Sequence, residues 1–180
     1  MSRSKTHNAA DPFVKYAVFK RAFDEVIKFQ AEENLLAAHV LAFSILEDRV
    51  TAAYVSSYRL LHEMDPPQIE SLQKIRFKNL VSNLHVMGVI EQSLEQKIYL
   101  AGDLRNELLH EMMWRLDCFT QEAINEIRKL ITQVQTANRR FVKKQNEQRK
   151  VKELHSRSKG FGKRVIGTLN KAVIAESKKN

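Results

Sequence analysis

One cysteine, Cys118, three prolines and five glycines are all that 180 residues hold of these types. A lone thiol excludes an internal disulfide and leaves no cysteine cluster for a metal, and it fits a reducing compartment. The glycines and prolines are also unevenly spread. Neither type occurs between Phe13 and Asp65, between Gln68 and Met87, or between Asp103 and Lys159, and spans so free of breakers predict long helices. Long apolar runs are missing too. The nearest to one, Leu35 to Leu46, is interrupted by His39 and falls well short of the ~20 residues a membrane span needs. The opening MSRSKTHNAADP has no apolar signal-peptide core. These absences lead to the expectation of a soluble, cytoplasmic protein with no membrane partner.

Acidic residues are scarce at one end. Residues 139 to 180 hold 14 Lys or Arg against three acids, a net +11, while residues 1 to 138 hold 16 basic and 18 acidic groups, a net −2. The whole excess of +9 therefore lies in the tail. A basic end on a nearly neutral body predicts attraction to a polyanion, RNA above all, through Arg139, Arg140, Lys143, Lys144, Arg149, Lys150, Lys159, Lys163 and Arg164. A solubilising tail is the plainer reading.

What the chain has in quantity is helical patterning. At 43% hydrophobic it can build one sizeable core. Asp11-Pro12 starts a first helix over about 12–30, with Phe13, Val14, Ala17, Val18, Ala22, Val26 and Phe29 at helical spacing. A second runs from about 33 to 64 and stops at Asp65-Pro66-Pro67. A third is expected over about 68–86, ending near Gly88. A fourth follows from about 90 to 116, with Gly102 as a candidate kink. The fifth starts at Thr120 as N-cap, continues toward Glu153, and leaves the body past Arg139. Beyond it a flexible tail is expected, with a short helix at 168–175. No alternating pattern calls for a strand. The fold class is all-α, an antiparallel four- to five-helix bundle, organised as a disordered 1–11, a bundle over 12–138, and a basic helical extension and flexible tail over 139–180.

Two charges sit where apolar residues belong. On a wheel of ~100° per residue, Leu104, Leu108, Leu109, Met112, Met113 and Leu116 of the fourth helix fill one arc with Arg105 near its middle. Asn106 and His110 stack at its border, while Asp103, Glu107 and Glu111 face away. In the second helix, Glu47 lies within the arc of Val40, Phe43, Leu46, Val50, Ala53 and Tyr54, and Asp48 points outward. A guanidinium in an apolar stripe must find a carboxylate, a phosphate or a water-filled interface. Glu47 and Arg105 are therefore expected to meet across the helices, either as architecture or as part of a site.

His110 alone reads as an edge residue. With Arg105 and Asn106 it completes the groups that RNA cleavage without a metal requires: a titrating base or acid, a fixed cation for the phosphate, and an orienting amide. Their offset does not converge within one straight helix. Two copies facing one another bring the groups together, so a homodimer is expected.

The run Arg105-Asn106-Glu107-Leu108-Leu109-His110 resembles the R-x4-H signature of the HEPN (higher eukaryotes and prokaryotes nucleotide-binding) superfamily, with a polar residue after the arginine. The all-α setting, the late position of the motif and Glu47 on an earlier helix are similar as well, over roughly residues 12 to 135. The resemblance implies a metal-independent, dimeric endoribonuclease with Arg105 and His110 of both protomers in a composite cleft, leaving a 2′,3′-cyclic phosphate. It also implies a toxin or antiphage effector, in some members restrained by an antitoxin or regulatory protein. One subgroup is modified on a tyrosine two residues after the histidine. Here that position is Met112, which speaks against this mode of inhibition. The competing expectation is a non-catalytic RNA-binding or interaction protein.

Weaker signals resolve to plainer readings. KGFGKR, 159 to 164, lacks phosphate-loop spacing and reads as a basic turn. His39 belongs to the core, and neither it nor His85 has a second ligand at metal spacing, so no metal or other cofactor is expected. Tyr54, Tyr58 and Tyr99 are candidates for lining a cleft or for the core. Trp114, Cys118 and Phe119 are expected to close the end of the bundle.

Overall fold

A computed structural model describes residues 12–62, 75–110 and 119–177, with side chains placed for 17–62, 75–107, 110 and 119–153. Within them lie five helices and no strand: α1 Pro12–Ala31, α2 Leu35–His62, α3 Phe77–Val86, α4 Gln92–His110 and α5 Gln121–Ser177. The protein is an all-α helical bundle. The chain divides into two compact units, Met1–Arg139 and Arg140–Asn180.

The first unit is assembled around α2. The tight turn between α1 and α2 places Glu33 at φ 57°, a left-handed conformation, and Asn34 caps α2 by accepting the Ala37 N–H at 3.3 Å. α2 packs on α1, α3 and α4. Its inward face is Ala38, Ala42, Phe43, Leu46, Val50, Ala53 and Tyr54, all buried. Val40, expected on this face, is instead 42% exposed. Its wheel position is at the edge of the arc, and nothing covers that edge among the described residues.

Thr120 caps α5 as expected, its Oγ1 accepting the Ala123 N–H at 3.2 Å. The first turns of α5 reach the end of α1, where Gln30 Nε2 donates to Gln121 Oε1 at 2.7 Å and Arg128 Nη1 donates to Gln30 Oε1 at 3.1 Å. Asn138 lies at the far end of α2, its Oδ1 accepting from Ser56 and Ser57 at 3.1 and 3.2 Å. This part of α5 therefore runs parallel to α2 and antiparallel to α1. It contributes Ile124, Ile127, Leu130, Ile131 and Val134 to the core.

α3 and α4 form a hairpin. Gly88, at φ 71°, ends α3, and the Val89 N–H returns to Leu84 O at 2.9 Å, burying Val89 and Ile90 beneath the turn. Two expectations are corrected here. α3 begins at Phe77, because Ile75 and Arg76 are not helical and Arg76 is the extended N-cap residue at ψ 142°. Residues 68–74, the rest of the expected third helix, lie outside the described residues. Gly102 does not break α4, which runs unbroken to His110. Met112, Met113, Trp114, Leu116 and Cys118 lie outside the described residues.

The second unit is helix throughout its described length. In place of the basic turn expected at 159–164 and the short helix expected at 168–175, α5 continues to Ser177. The segment has no proline, and Lys, Arg, Glu, Gln and Ala are good helix formers that offset a cost of about 1 kcal/mol for each interior glycine.

Candidate functional site

On α4, residues 99, 102, 105 and 106 fall at spacings of three and four and form one stripe. Together with Phe43 and Glu47 of α2 and the first turn of α3, Arg76 to Asn79, they line a cleft of about 330 Å³. Gly102 is buried beneath two aromatic rings. A Cβ at that position would lie 3.5 Å from Phe77 Cε1 and 3.8 Å from Phe43 Cζ, so the two rings fill the space over its backbone. The rings meet edge-on, with centroids 5.5 Å apart.

Arg105 is half-buried at the cleft wall. Its guanidinium stands 5.4 Å from the Phe43 ring centroid, and Nη1 donates to Asn106 Oδ1 at 3.1 Å. Glu47 lines the same cleft, but no ion pair joins it to Arg105 among the described residues. The expected contact is corrected to a shared cavity, in which the aromatic face, the amide and the open cleft take the place of a carboxylate. Asp48 faces solvent, as expected, and pairs with the adjacent Arg49, whose guanidinium covers Phe19 at 4.5 Å.

His110 is exposed and is not among the residues lining the cleft. Five residues of helix carry it about 7.5 Å along the axis and about 140° around it from Arg105. One chain thus brings Arg105, Asn106 and Glu47 together and leaves His110 apart.

The opposite wall was not legible as a site. Arg76, Phe77 and Lys78 fell within an expected continuous helix, although KIRFK, a phenylalanine set among three basic residues, carries the interleaving of charge and ring seen in nucleic-acid contacts. Lys78 Nζ is 2.7 Å from Asp103, and the Tyr99 hydroxyl lies 3.2 Å from Lys78 O and 3.1 Å from Glu95 Oε1, which ties α3 to α4. Burial raises the Tyr99 phenol above its ordinary value. Of the candidate tyrosines only Tyr99 reaches the cleft. Tyr54 is buried against Tyr58, with ring centroids 5.5 Å apart, and its phenol is likewise raised by burial. Arg76, Lys78 and Arg105 line the cleft against Glu47, and with Lys78 paired to Asp103 a surplus of one positive charge is left.

The chain matches no protein-family model, no curated protein and no solved structure.

His39 is core, as expected, at 1% exposure and edge-on to Phe119 at 5.5 Å. On α5, Arg139, Arg140, Lys143, Lys144 and Lys150 are exposed and Arg149 is partly so. Lys159, Lys163 and Arg164 lie on the same helix, with side chains outside those described. No helix among the described residues is long and apolar enough to cross a membrane.

Proposed function

We propose that this chain is a metal-independent endoribonuclease of the kind its R-x4-H signature implies, cutting RNA at a site completed by a second copy. Arg105 takes the scissile phosphate and stabilises its developing charge, Asn106 orients it, and His110 moves the proton of the attacking 2′-hydroxyl or of the leaving oxygen. The product is a 2′,3′-cyclic phosphate. Phe43 and Asn106 hold the guanidinium at the cleft wall, and the basic helix raises the local RNA concentration through salt-sensitive contacts. A role as a toxin or antiphage effector, restrained by an antitoxin or regulatory protein, follows from the same resemblance.

One observation carries the reading: Arg105 with Asn106 opens into a cleft of surplus positive charge instead of being neutralised by Glu47. Such a guanidinium is available to a phosphate. The test is cleavage of single-stranded RNA by the wild type beside Arg105→Ala and His110→Ala. Each substitution is expected to lower the rate by on the order of 10²- to 10⁴-fold. His110→Ala should leave the melting temperature near that of the wild type, since the side chain is exposed. Wild-type protein that leaves RNA uncut over hours, and is no more toxic on expression than either variant, overturns it.

The position of His110 outside the cleft supports a second reading, a non-catalytic RNA-binding or interaction protein in which the basic helix makes the contacts. Loss of all RNA binding on removing residues 155–180, with no cleavage by the full chain, selects that reading.

A further inference from the structure

The cleavage chemistry proposed above draws on one wall of the cleft and leaves the α3 wall unused. Lys78 there is already paired with Asp103, but Arg76 has no ion-pair partner among the described residues and is exposed. Next to it Phe77 is half-buried, its ring resting on Phe43 and the Gly102 backbone. An exposed guanidinium beside a braced aromatic ring is a pairing that suits a single strand. Each nucleotide brings one negative charge, and every base has a face that stacks. A duplex has the charge but not the free base face, because its bases are already stacked and paired. The cleft volume, about 330 Å³, is at the lower end of the range for sites that take small ligands, room for one nucleotide and not for a helix.

We propose that Arg76 and Phe77 form a subsite for the nucleotide next to the scissile phosphate, with Phe77 stacking on its base and Arg76 contacting its phosphate. This rests on the reading of the cleft as an RNA site. It makes the protein selective for unpaired RNA, and it gives the α3 turn a part in positioning that the R-x4-H run does not supply.

The test uses the full-length His110→Ala protein, so that the strand stays uncut, and a fluorescent single-stranded RNA trinucleotide titrated by anisotropy over a salt series. Adding Arg76→Ala is expected to lower the slope of log affinity against log salt by about 0.7, the share of one phosphate contact on a single strand. Arg76→Lys should restore it. Adding Phe77→Leu is expected to weaken binding roughly fivefold or more with the slope unchanged, and Phe77→Trp should keep the affinity. The basic helix contributes equally to every variant, so the differences isolate the cleft, and thermal melting shows that each variant is folded. Parental affinity and slope in both Arg76→Ala and Phe77→Leu overturn the subsite, as does equal affinity for a stably paired RNA hairpin that competes with the trinucleotide. If the wild type cuts nothing while the two variants lose binding as described, the ribonuclease reading falls and Arg76 with Phe77 stand as a site for an unpaired nucleotide. If the wild type cuts RNA while both variants bind like their parent, the subsite falls alone.

Discussion

His39 is 1% exposed, yet neither Nδ1 nor Nε2 has a hydrogen-bond partner among the described residues. Burial holds its imidazole below the ordinary value, so the folded protein keeps the ring neutral. Replacement by leucine, of similar bulk, removes two unsatisfied buried nitrogens that cost about 1–3 kcal/mol. It forfeits the edge contact with Phe119, worth about 0.5–1.5 kcal/mol. The balance favours His39→Leu by about 1 kcal/mol, a rise of roughly 2–4 °C in midpoint for a chain of this length. The dependence on pH fixes the cause. The unfolded chain takes up a proton at this histidine near an ordinary pKa of about 6.5, whereas the folded chain resists until a lower pH. Between those two values the unfolded state binds more protons, so wild-type stability falls as pH drops through about 6.5. Leucine has no such linkage. Urea melts at pH 7.5 and pH 5.5 should therefore show the advantage of the variant widening on acidification. A variant less stable than wild type by more than about 1 kcal/mol at pH 7.5, or a gap that stays constant with pH, refutes the account.

Thr120→Ala removes the oxygen that accepts the Ala123 N–H, and a loss of about 1 kcal/mol in denaturant unfolding is expected; no change shows that the cap is dispensable. Gly102→Ala introduces only ordinary contacts, at 3.5 and 3.8 Å, while relieving a helix-interior glycine, so a gain of about 0.5–1 kcal/mol is expected. A destabilised Gly102→Ala refutes the ordinary contact with the Phe77 and Phe43 rings.

The helices were legible because their signals are local. Pro12 at a first turn, Thr120 as a cap and Gly88 past a last turn each act within four residues, and the long spans free of Gly and Pro left little else for the chain to form. The site was legible only around each helix axis. A wheel places Glu47 and Arg105 on inward arcs correctly, since both line the cleft, but it says nothing of the stagger between two helices. A stagger of two residues moves a side chain about 3 Å along the axis, enough to separate an ion pair, and no such pair forms among the described residues. The α3 wall was hidden for a related reason. The start of α3 at Phe77 is marked by neither glycine nor proline, and the N-cap position is held by Arg76, which makes no side-chain cap bond. The tail misled in the opposite direction, because three glycines among good helix formers weigh less than their number implies.

The separation of Arg105 from His110 makes the proposed chemistry testable without any RNA target in hand. Within one helix the two groups point about 140° apart, so a phosphate seated in the cleft beside Arg105 does not face His110 of the same chain. If cleavage takes Arg105 from one protomer and His110 from the other, Arg105→Ala and His110→Ala are complementary lesions. A twofold dimer of one variant with the other has one composite site with neither group and one with both. Equal mixtures that exchange subunits freely contain heterodimers in about half of all dimers, each with one intact site of two, so about a quarter of wild-type activity should return. Groups acting within one chain return none on mixing. Two inactive variants that stay inactive after demonstrated subunit exchange, beside an active wild type, would assign both groups to a site within a single chain and remove the second copy from the mechanism. Sedimentation showing a strict monomer in an active wild type removes it by a separate route.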